Sequence, residues 1–478
     1  MSEALPMSQA LQWLRTAGPD VVAPDGTPVR LRGVGLGGWL NMENFITGYP
    51  ATESAHRKAM REVLGERRYE LFFDSFLTYF FGPQDAAFIA SLGMNCVRIP
   101  VNYRHWEDDA RPGVIDPKGF AHLDRAIEAC AAAGLYTVID LHAVPGAQNH
   151  HWHSDNPFHQ PLFWQHRQFQ DRAIALWESI ASRYADRPEV AGYNLLNEPA
   201  DESGGALVDF YRRAVAAVRA VDGRHIVFLD GNTYAREFRG FGEPFENAVY
   251  AIHQYPEPGA AGGGPYPGIA GGYYVDRNAV ESEFLAMTGY MRERDLPVWV
   301  GEFGPVYGAG PERDAQRRRL LADQIGIYEA AGAGWSLWTY KDIGVQGLVT
   351  VAPESPWLRR TEAVRAKKTA VAADHWGMTT DGMRDVLGPL LARFGREFPG
   401  YDPYPFGARR YVEQLVLSML FAEPLAGEFA ACFADASDEE LVALGKSFAF
   451  SDCVEQKELC ELARTAIVSG PPAHAAGP

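Results

Sequence analysis

The sequence predicts an α/β fold: a closed (β/α)8 barrel of the TIM type followed by a C-terminal helical appendage. Two observations carry that expectation. Between Pro28 and about Tyr340, short apolar, β-rich runs alternate with polar or glycine- and proline-rich loops and amphipathic segments. Eight β-then-α units in succession point to parallel strands that close on themselves rather than to an open sheet. In addition, six of the runs end in titratable, amide or large aromatic side chains, where a purely structural barrel would need none. With 478 residues, 47% of them hydrophobic, the chain is long enough for one large core plus an appendage.

The candidate strands are, in order, PVRLRGVGL, NCVRIPV, YTVIDLH, VAGYNLLN, HIVFLD, VYAIHQY, PVWVGEF and GWSLWTY. Helices between them are expected to stop at Gly93, Gly134 and Gly332, where a left-handed cap ends the last turn before the next strand. The stretch PEPGAAGGGPYPGIAGGYY, residues 256 to 274, follows the sixth strand. It reads as a long mobile loop over the site, because another strand and helix follow in register. An eighth barrel helix must be drawn from residues 357 to 395. The barrel domain is therefore placed at 1–375 and the appendage at 376–478. The appendage shows helical periodicity, with Val412, Leu415, Val416, Met419 and Leu420 on one face, and no convincing strand. That apolar face is expected to pack on the barrel or on a second copy of the chain as a homo-oligomer.

The net charge of −17 works against nucleic acid and anionic membrane surfaces as partners. No run has the length of uninterrupted apolar residues that a membrane span needs, and the first twenty residues lack the basic start and apolar core of a signal peptide. The expected location is cytoplasmic. Five scattered cysteines, Cys96, Cys130, Cys432, Cys453 and Cys460, read as free thiols in a reducing compartment, not as a zinc site.

At the carboxyl ends of the strands stand Arg98, His142, Asn197 with Glu198, His253 with Tyr255, Glu302 and Trp338. AGYNLLNEPA shows the pattern most plainly: an apolar run that should continue as core turns abruptly to Asn197, Glu198 and Pro199. Buried unpaired, such groups cost free energy, so they mark either a surface end or a site. Carboxylates on strands four and seven face each other across a barrel mouth, an arrangement suited to hydrolysis of an acetal. Arg98 beside Glu302 would hold that carboxylate ready to attack. Glu198, expected near an apolar wall and a second negative charge, would keep its proton and serve as acid and then base.

These residues together resemble the site pattern of glycoside hydrolase family 5, over about residues 28 to 345. The resemblance implies a retaining mechanism with Glu302 as nucleophile and Glu198 as acid/base. It further implies that Asn197 holds the sugar 2-hydroxyl, that Tyr255 orients the nucleophile and that Trp338 forms the floor under the ring. LRGVGLGGWLNMEN and DLHAVPGAQN are similar to the exo-1,3-glucanase branch of that family. The resemblance places Glu43 on hydroxyls of the terminal sugar and makes Asn149 a substrate-binding residue. The implied activity is exo-hydrolysis of short glucosides or β-glucan fragments, with a small oligosaccharide or glycoside as substrate; neither cofactor nor metal is expected. A family 5 furanosidase and a catalytically silent sugar-binding barrel are the alternatives.

Three other motifs were weighed and set aside. Gly33, Gly35 and Gly38 spell GxGxxG after a strand, but Trp39 follows where a helix should open, so a dinucleotide site is not expected. His150, His151 and His153 lack a carboxylate triad to complete a metal site and read as a solvated or sugar-contacting loop. Ser336 lacks the closing glycine of a nucleophile elbow.

Overall fold

The computed structural model describes residues 11–374 and 376–469. Eight parallel strands form the barrel: β1 (Arg32–Gly35), β2 (Cys96–Asn102), β3 (Tyr136–Ala143), β4 (Val190–Asn194), β5 (Ile226–Asp230), β6 (Ala248–His253), β7 (Val298–Glu302) and β8 (Gly334–Leu337). Each pairs with the next and β8 returns to β1, so the sheet has no open edge. All eight runs expected as strands are strands. Gly93, Gly134 and Gly332 take φ of 84°, 76° and 75°, the left-handed geometry that ends the preceding helices.

The register aligns the site. Glu302 is the partner of His253, Arg98 lies opposite Gly35, and Asp140 lies opposite Asn194. At the far end of the barrel, Arg30 and Arg32 both reach Glu329 at 2.7 Å, and Trp335 Nε1 donates to the same carboxylate at 2.8 Å. Those bonds close the bottom of the barrel, where such contacts support stability rather than chemistry. The eighth barrel helix is Pro356–Ala370, started by Ser355, whose hydroxyl accepts from the Leu358 N–H.

The glycines of GxGxxG are packing devices. A Cβ on Gly33 would meet the Cys96 carbonyl at 1.8 Å, and one on Gly35 or Gly37 would meet the Trp338 indole at 2.5 Å. Small residues are needed there so that strand and indole can approach.

Three expectations are corrected. Residues 256 to 274 are an ordered segment, not a mobile loop. They contain a short 3-10 turn, Glu257–Gly259, and a hairpin pairing Gly268–Ala270 with Tyr273–Val275. The Arg317 guanidinium donates to the carbonyls of Ala260 at 2.5 Å and Ala261 at 3.2 Å, and the Tyr266 hydroxyl donates to Asp323 at 2.7 Å. A segment whose backbone acceptors are satisfied from the barrel has no need to swing freely.

The C-terminal region does contain a strand. Cys453–Glu455 pairs antiparallel with Val349–Val351, itself parallel to Lys341–Asp342. Three residues are too few for a periodicity signal to show.

The apolar face is also shifted. Val412 is buried and Leu415, Val416 and Met419 are half-buried, but Leu420 is 67% exposed and Leu417 is the residue fully enclosed. Gln414–Phe421 is π-helical, so its turn is wider than the 3.6-residue period used to choose the face. Leu417 packs with Ala372, Met383 and Leu387. Later helices pack on the long helix Glu53–Phe80. Phe72 stacks parallel to Trp357 at 6.0 Å and meets Phe433 at 5.4 Å, and the Ser75 hydroxyl donates to the Val442 carbonyl at 3.1 Å. The approach is so close that a Cβ on Gly445 would stand 2.7 Å from the Phe76 nitrogen. Among the described residues no helix is long and apolar enough to cross a membrane.

Candidate active site

Arg98, on β2, lies wholly inside the barrel mouth and is held on every side. Its guanidinium donates to Glu302 Oε1 at 2.5 Å, to Asn197 Oδ1 at 2.7 Å and to Asn194 Oδ1 at 3.1 Å, and pairs with Asp140 at 3.1 Å. A buried guanidinium is tolerable only when its donors are met in this way. Glu302, at the end of β7, also accepts from the Tyr255 hydroxyl at 3.0 Å. Both of its oxygens are thereby fixed in direction.

Glu198 has a φ of 46°, unusual for a residue with a side chain. Its backbone is overdetermined: the N–H donates to Asp230 Oδ2 at 2.9 Å, and the carbonyl accepts from Asn149 Nδ2 at 3.0 Å. The carboxylate meets His253 Nδ1 at 2.8 Å and His153 Nε2 at 3.1 Å. One carboxylate oxygen each from Glu198 and Glu302, with one His253 nitrogen, all lie within 4.8 Å of one another.

The surroundings of Glu198 differ from the expected apolar wall. Burial acts to raise its pKa, but the hydrogen bonds and charges of His153 and His253 outweigh burial and hold it well below the usual carboxylate range. His253 moves the other way. Burial alone would lower it, but the carboxylates of Glu302, Asp230 and Glu198 push it up to about 9. The two groups meet at 2.8 Å and titrate as a pair.

Glu43 follows β1, and burial, aided by Glu302 and Glu198 and opposed by His142, raises its pKa to about 7. Its Oε1 is 3.5 Å from His142 Nε2 and has no hydrogen bond within the protein. A buried acceptor left without a donor carries an unmet hydrogen bond beside the cavity. His142 is oriented by Asp140 at 2.7 Å and stacks against Trp338 with ring centroids 5.6 Å apart.

These groups open into a cavity of about 620 Å3. Of the ten residues expected at the site, Glu43, His142, Glu198, His253, Tyr255, Glu302 and Trp338 line it. Arg98 and Asn197 sit behind that surface, both fully buried. Asn197 accepts from Arg98 through Oδ1, and its Nδ2 lies 3.2 Å from His142 Nε2. Asn149 is likewise not on the wall, contrary to expectation. Its amide nitrogen serves the Glu198 carbonyl and His153 Nε2 at 2.9 Å, and its oxygen accepts from the His151 N–H. A side chain with both ends occupied by the protein positions its neighbours and has little left for a sugar.

Other residues went unnoticed. Asp140, Asn194 and Asp230 form the polar layer under the site, and each was visible as a polar interruption in an apolar strand. His153 touches the Glu198 carboxylate directly. Tyr234, Trp376, Phe406, Arg409, Arg410 and Glu413 also line the cavity. Four of those six come from beyond residue 400, and no local pattern links them to the barrel.

Comparison with known proteins agrees with this geometry. The family model described as cellulase (glycosyl hydrolase family 5) matches residues 75–344. A protein named beta-xylosidase from Phanerodontia chrysosporium is 44% identical over 464 residues, covering 94% of this chain and 97% of that protein. A probable glucan 1,3-beta-glucosidase A from Emericella nidulans is 27% identical over 366 residues, covering 66% and 87% respectively. Among solved structures, AoRut aligns with a TM-score of 0.52 at 18% identity, over 66% of this chain and 89% of that one, and so supports the fold. Membership in a family of glycoside hydrolases sets the silent sugar-binding alternative aside. The chain belongs to glycoside hydrolase family 5.

Proposed function

We propose that the protein is a retaining, exo-acting β-glycosidase that removes one pyranose unit from the end of a short β-glycoside. The observation that carries the proposal is the approach of Glu198 and Glu302 oxygens to within 4.8 Å. Retaining enzymes hold their carboxyl groups about 5–5.5 Å apart, whereas inverting ones need about 6.5–9.5 Å for a water.

In the first step a Glu302 oxygen attacks the anomeric carbon and the bond to the leaving oxygen breaks. Glu198 supplies that oxygen with a proton, drawn from the pair it shares with His253. In the second step water attacks the same carbon from the vacated side, Glu198 accepts its proton, and the ester to Glu302 breaks. Two inversions leave the configuration unchanged.

Exo-action is supported by Glu43, whose open carboxylate oxygen stands beside His142 on the wall by Trp338. Hydroxyls of a terminal ring can donate there, but a further sugar attached through them would collide. For the sugar itself, gluco- and xylo-configured rings share their equatorial hydroxyls and differ by one hydroxymethyl group. The xyloside reading is favoured by the 44% identical relative named beta-xylosidase, which aligns along nearly the whole chain.

The test is a panel of nitrophenyl β-pyranosides and α- and β-furanosides, with the first-formed product examined by NMR. Release of β-xylose or β-glucose as the initial anomer is the expected result. An α-anomer, furanoside preference, or early release of mixed longer oligosaccharides from a polymer would overturn it.

A further inference from the structure

Beyond residue 400 the chain returns to the barrel mouth and builds one wall of the cavity with Phe406, Arg409, Arg410 and Glu413. This wall lies outside the residues that match the family model, 75–344. Its aromatic part is continuous: Phe406 meets Tyr234 with ring centroids 5.0 Å apart, and His151 lies 4.7 Å from Tyr234. Phe406 is 43% exposed, so a face of this cluster is open to an incoming ring.

Its charged part is uneven. Arg409 is committed to Glu413 at 2.9 Å, and Arg236, across the cavity, to Glu283 at 2.8 Å. Arg410 is half-buried on the same wall, and among the described residues its guanidinium makes no hydrogen bond and no ion pair. Burial pulls its pKa down, and Glu413, Tyr234 and Glu257 only partly restore it. A guanidinium withdrawn from water without acceptors is suited to an anion with planar oxygens.

Resting on the glycosidase reading above, we propose that this wall is the leaving-group subsite and that it takes an aryl aglycone bearing a carboxylate, the ring against Phe406 and Tyr234 and the carboxylate on Arg410. The three acids of the cleavage site, Glu43, Glu198 and Glu302, disfavour an anion near the reacting bond. A negative group is therefore accepted only at the outer wall, where Arg410 stands. Substrate would then be oriented with its neutral sugar inward and its acid outward.

The test compares 4-carboxyphenyl and 4-carbamoylphenyl β-glycosides of the preferred sugar, which match in shape and differ in charge. Wild-type enzyme should favour the carboxylate in kcat/KM by about tenfold or more, the size of one charge-assisted contact, and Arg410→Gln should bring the ratio to about one. Phe406→Ala should weaken both substrates while preserving their ratio. No wild-type preference, or a preference that survives in Arg410→Gln, overturns the proposal while leaving the glycosidase reading intact. A second measurement is independent of turnover: 4-hydroxybenzoate alone, followed by titration calorimetry, should bind wild type and not Arg410→Gln. If neither glycoside is cleaved yet that difference in binding is seen, the exo-glycosidase reading fails and the subsite stands. Equal binding to both proteins, or to neither, overturns the subsite.

Discussion

Arg98 lies buried behind the cavity surface and Arg410 lines the cavity, and the two guanidinium groups are treated in opposite ways. Arg98 sits among four acceptor residues, three of them on other strands and Asn197 just beyond β4, every one of them buried. Arg410 stands on a short helix, Gly407–Glu413, with no acceptor bonded to it among the described residues. The inner wall is built so that its reacting groups have one arrangement, because a buried charge network is stable only when each member is satisfied. The outer wall leaves groups open and half-exposed, which lets it vary without disturbing the chemistry. On the proposals above, positioning for bond cleavage and recognition of the rest of the substrate are supplied by separate lengths of chain.

The largest effect that would break this contrast lies at Glu302. Glu302→Gln should lower kcat by about 10^4-fold or more while thermal unfolding shifts little, since the amide oxygen can still accept from Arg98 while the amide nitrogen donates to the Tyr255 hydroxyl. Residual activity near wild type would move the nucleophile elsewhere. Glu198→Ala should cost about 10^2- to 10^4-fold on leaving groups that need a proton and much less on activated ones. Equal losses on the two classes would remove it from the acid/base role.

Glu43→Gln probes the boundary between binding and chemistry. Losing a charge-assisted hydrogen bond to the terminal ring should cost about 1.5–3 kcal/mol in kcat/KM. An enzyme as fast as wild type would show that this carboxylate does not close the site.

The shared proton gives a pH signature. Because His253 is raised to about 9 in the folded protein, activity that needs the Glu198–His253 proton should persist toward pH 9 and fall above it. His253→Ala should move that alkaline limb to lower pH. The sign for stability follows from the same shift. His253 contributes stabilisation fully present below its ordinary value near 6.5, and that contribution is lost as pH rises through about 9. Thermal unfolding measured across that window should fall in the wild type more steeply than in the variant. A limb unmoved by the substitution would assign the proton to another group.

The smallest effect is expected at Asn149. Asn149→Ala leaves the Glu198 carbonyl and His153 without a donor or acceptor and should cost about 1–3 kcal/mol of stability, with a modest drop in kcat and an unchanged KM. A rise in KM alone would return Asn149 to the sugar-binding role that the resemblance implied.

Local pattern was sufficient for the barrel and for bringing its two facing carboxylates together. Each strand carries its own β-rich apolar run, and a closed parallel barrel gathers all strand ends on one face, so Glu198 and Glu302 could be placed together without coordinates. The same logic could have reached Asp140, Asn194 and Asp230, which interrupt those runs. It could not reach the protonation of Glu198, because that depends on His153, from the loop after β3, and on His253, from β6, meeting one carboxylate. Nor could it reach the reassignment of Asn149 from ligand to support, which turns on what its amide bonds. The outer wall was the least legible part. Tyr234 and Phe406 are 172 residues apart in number, and they meet only because the C-terminal helices are anchored on Glu53–Phe80 and carry the intervening chain back across the mouth. Periodicity reports what a segment does to its own neighbours in sequence; it carries no information on which distant segment will cover it, and that was decided by packing.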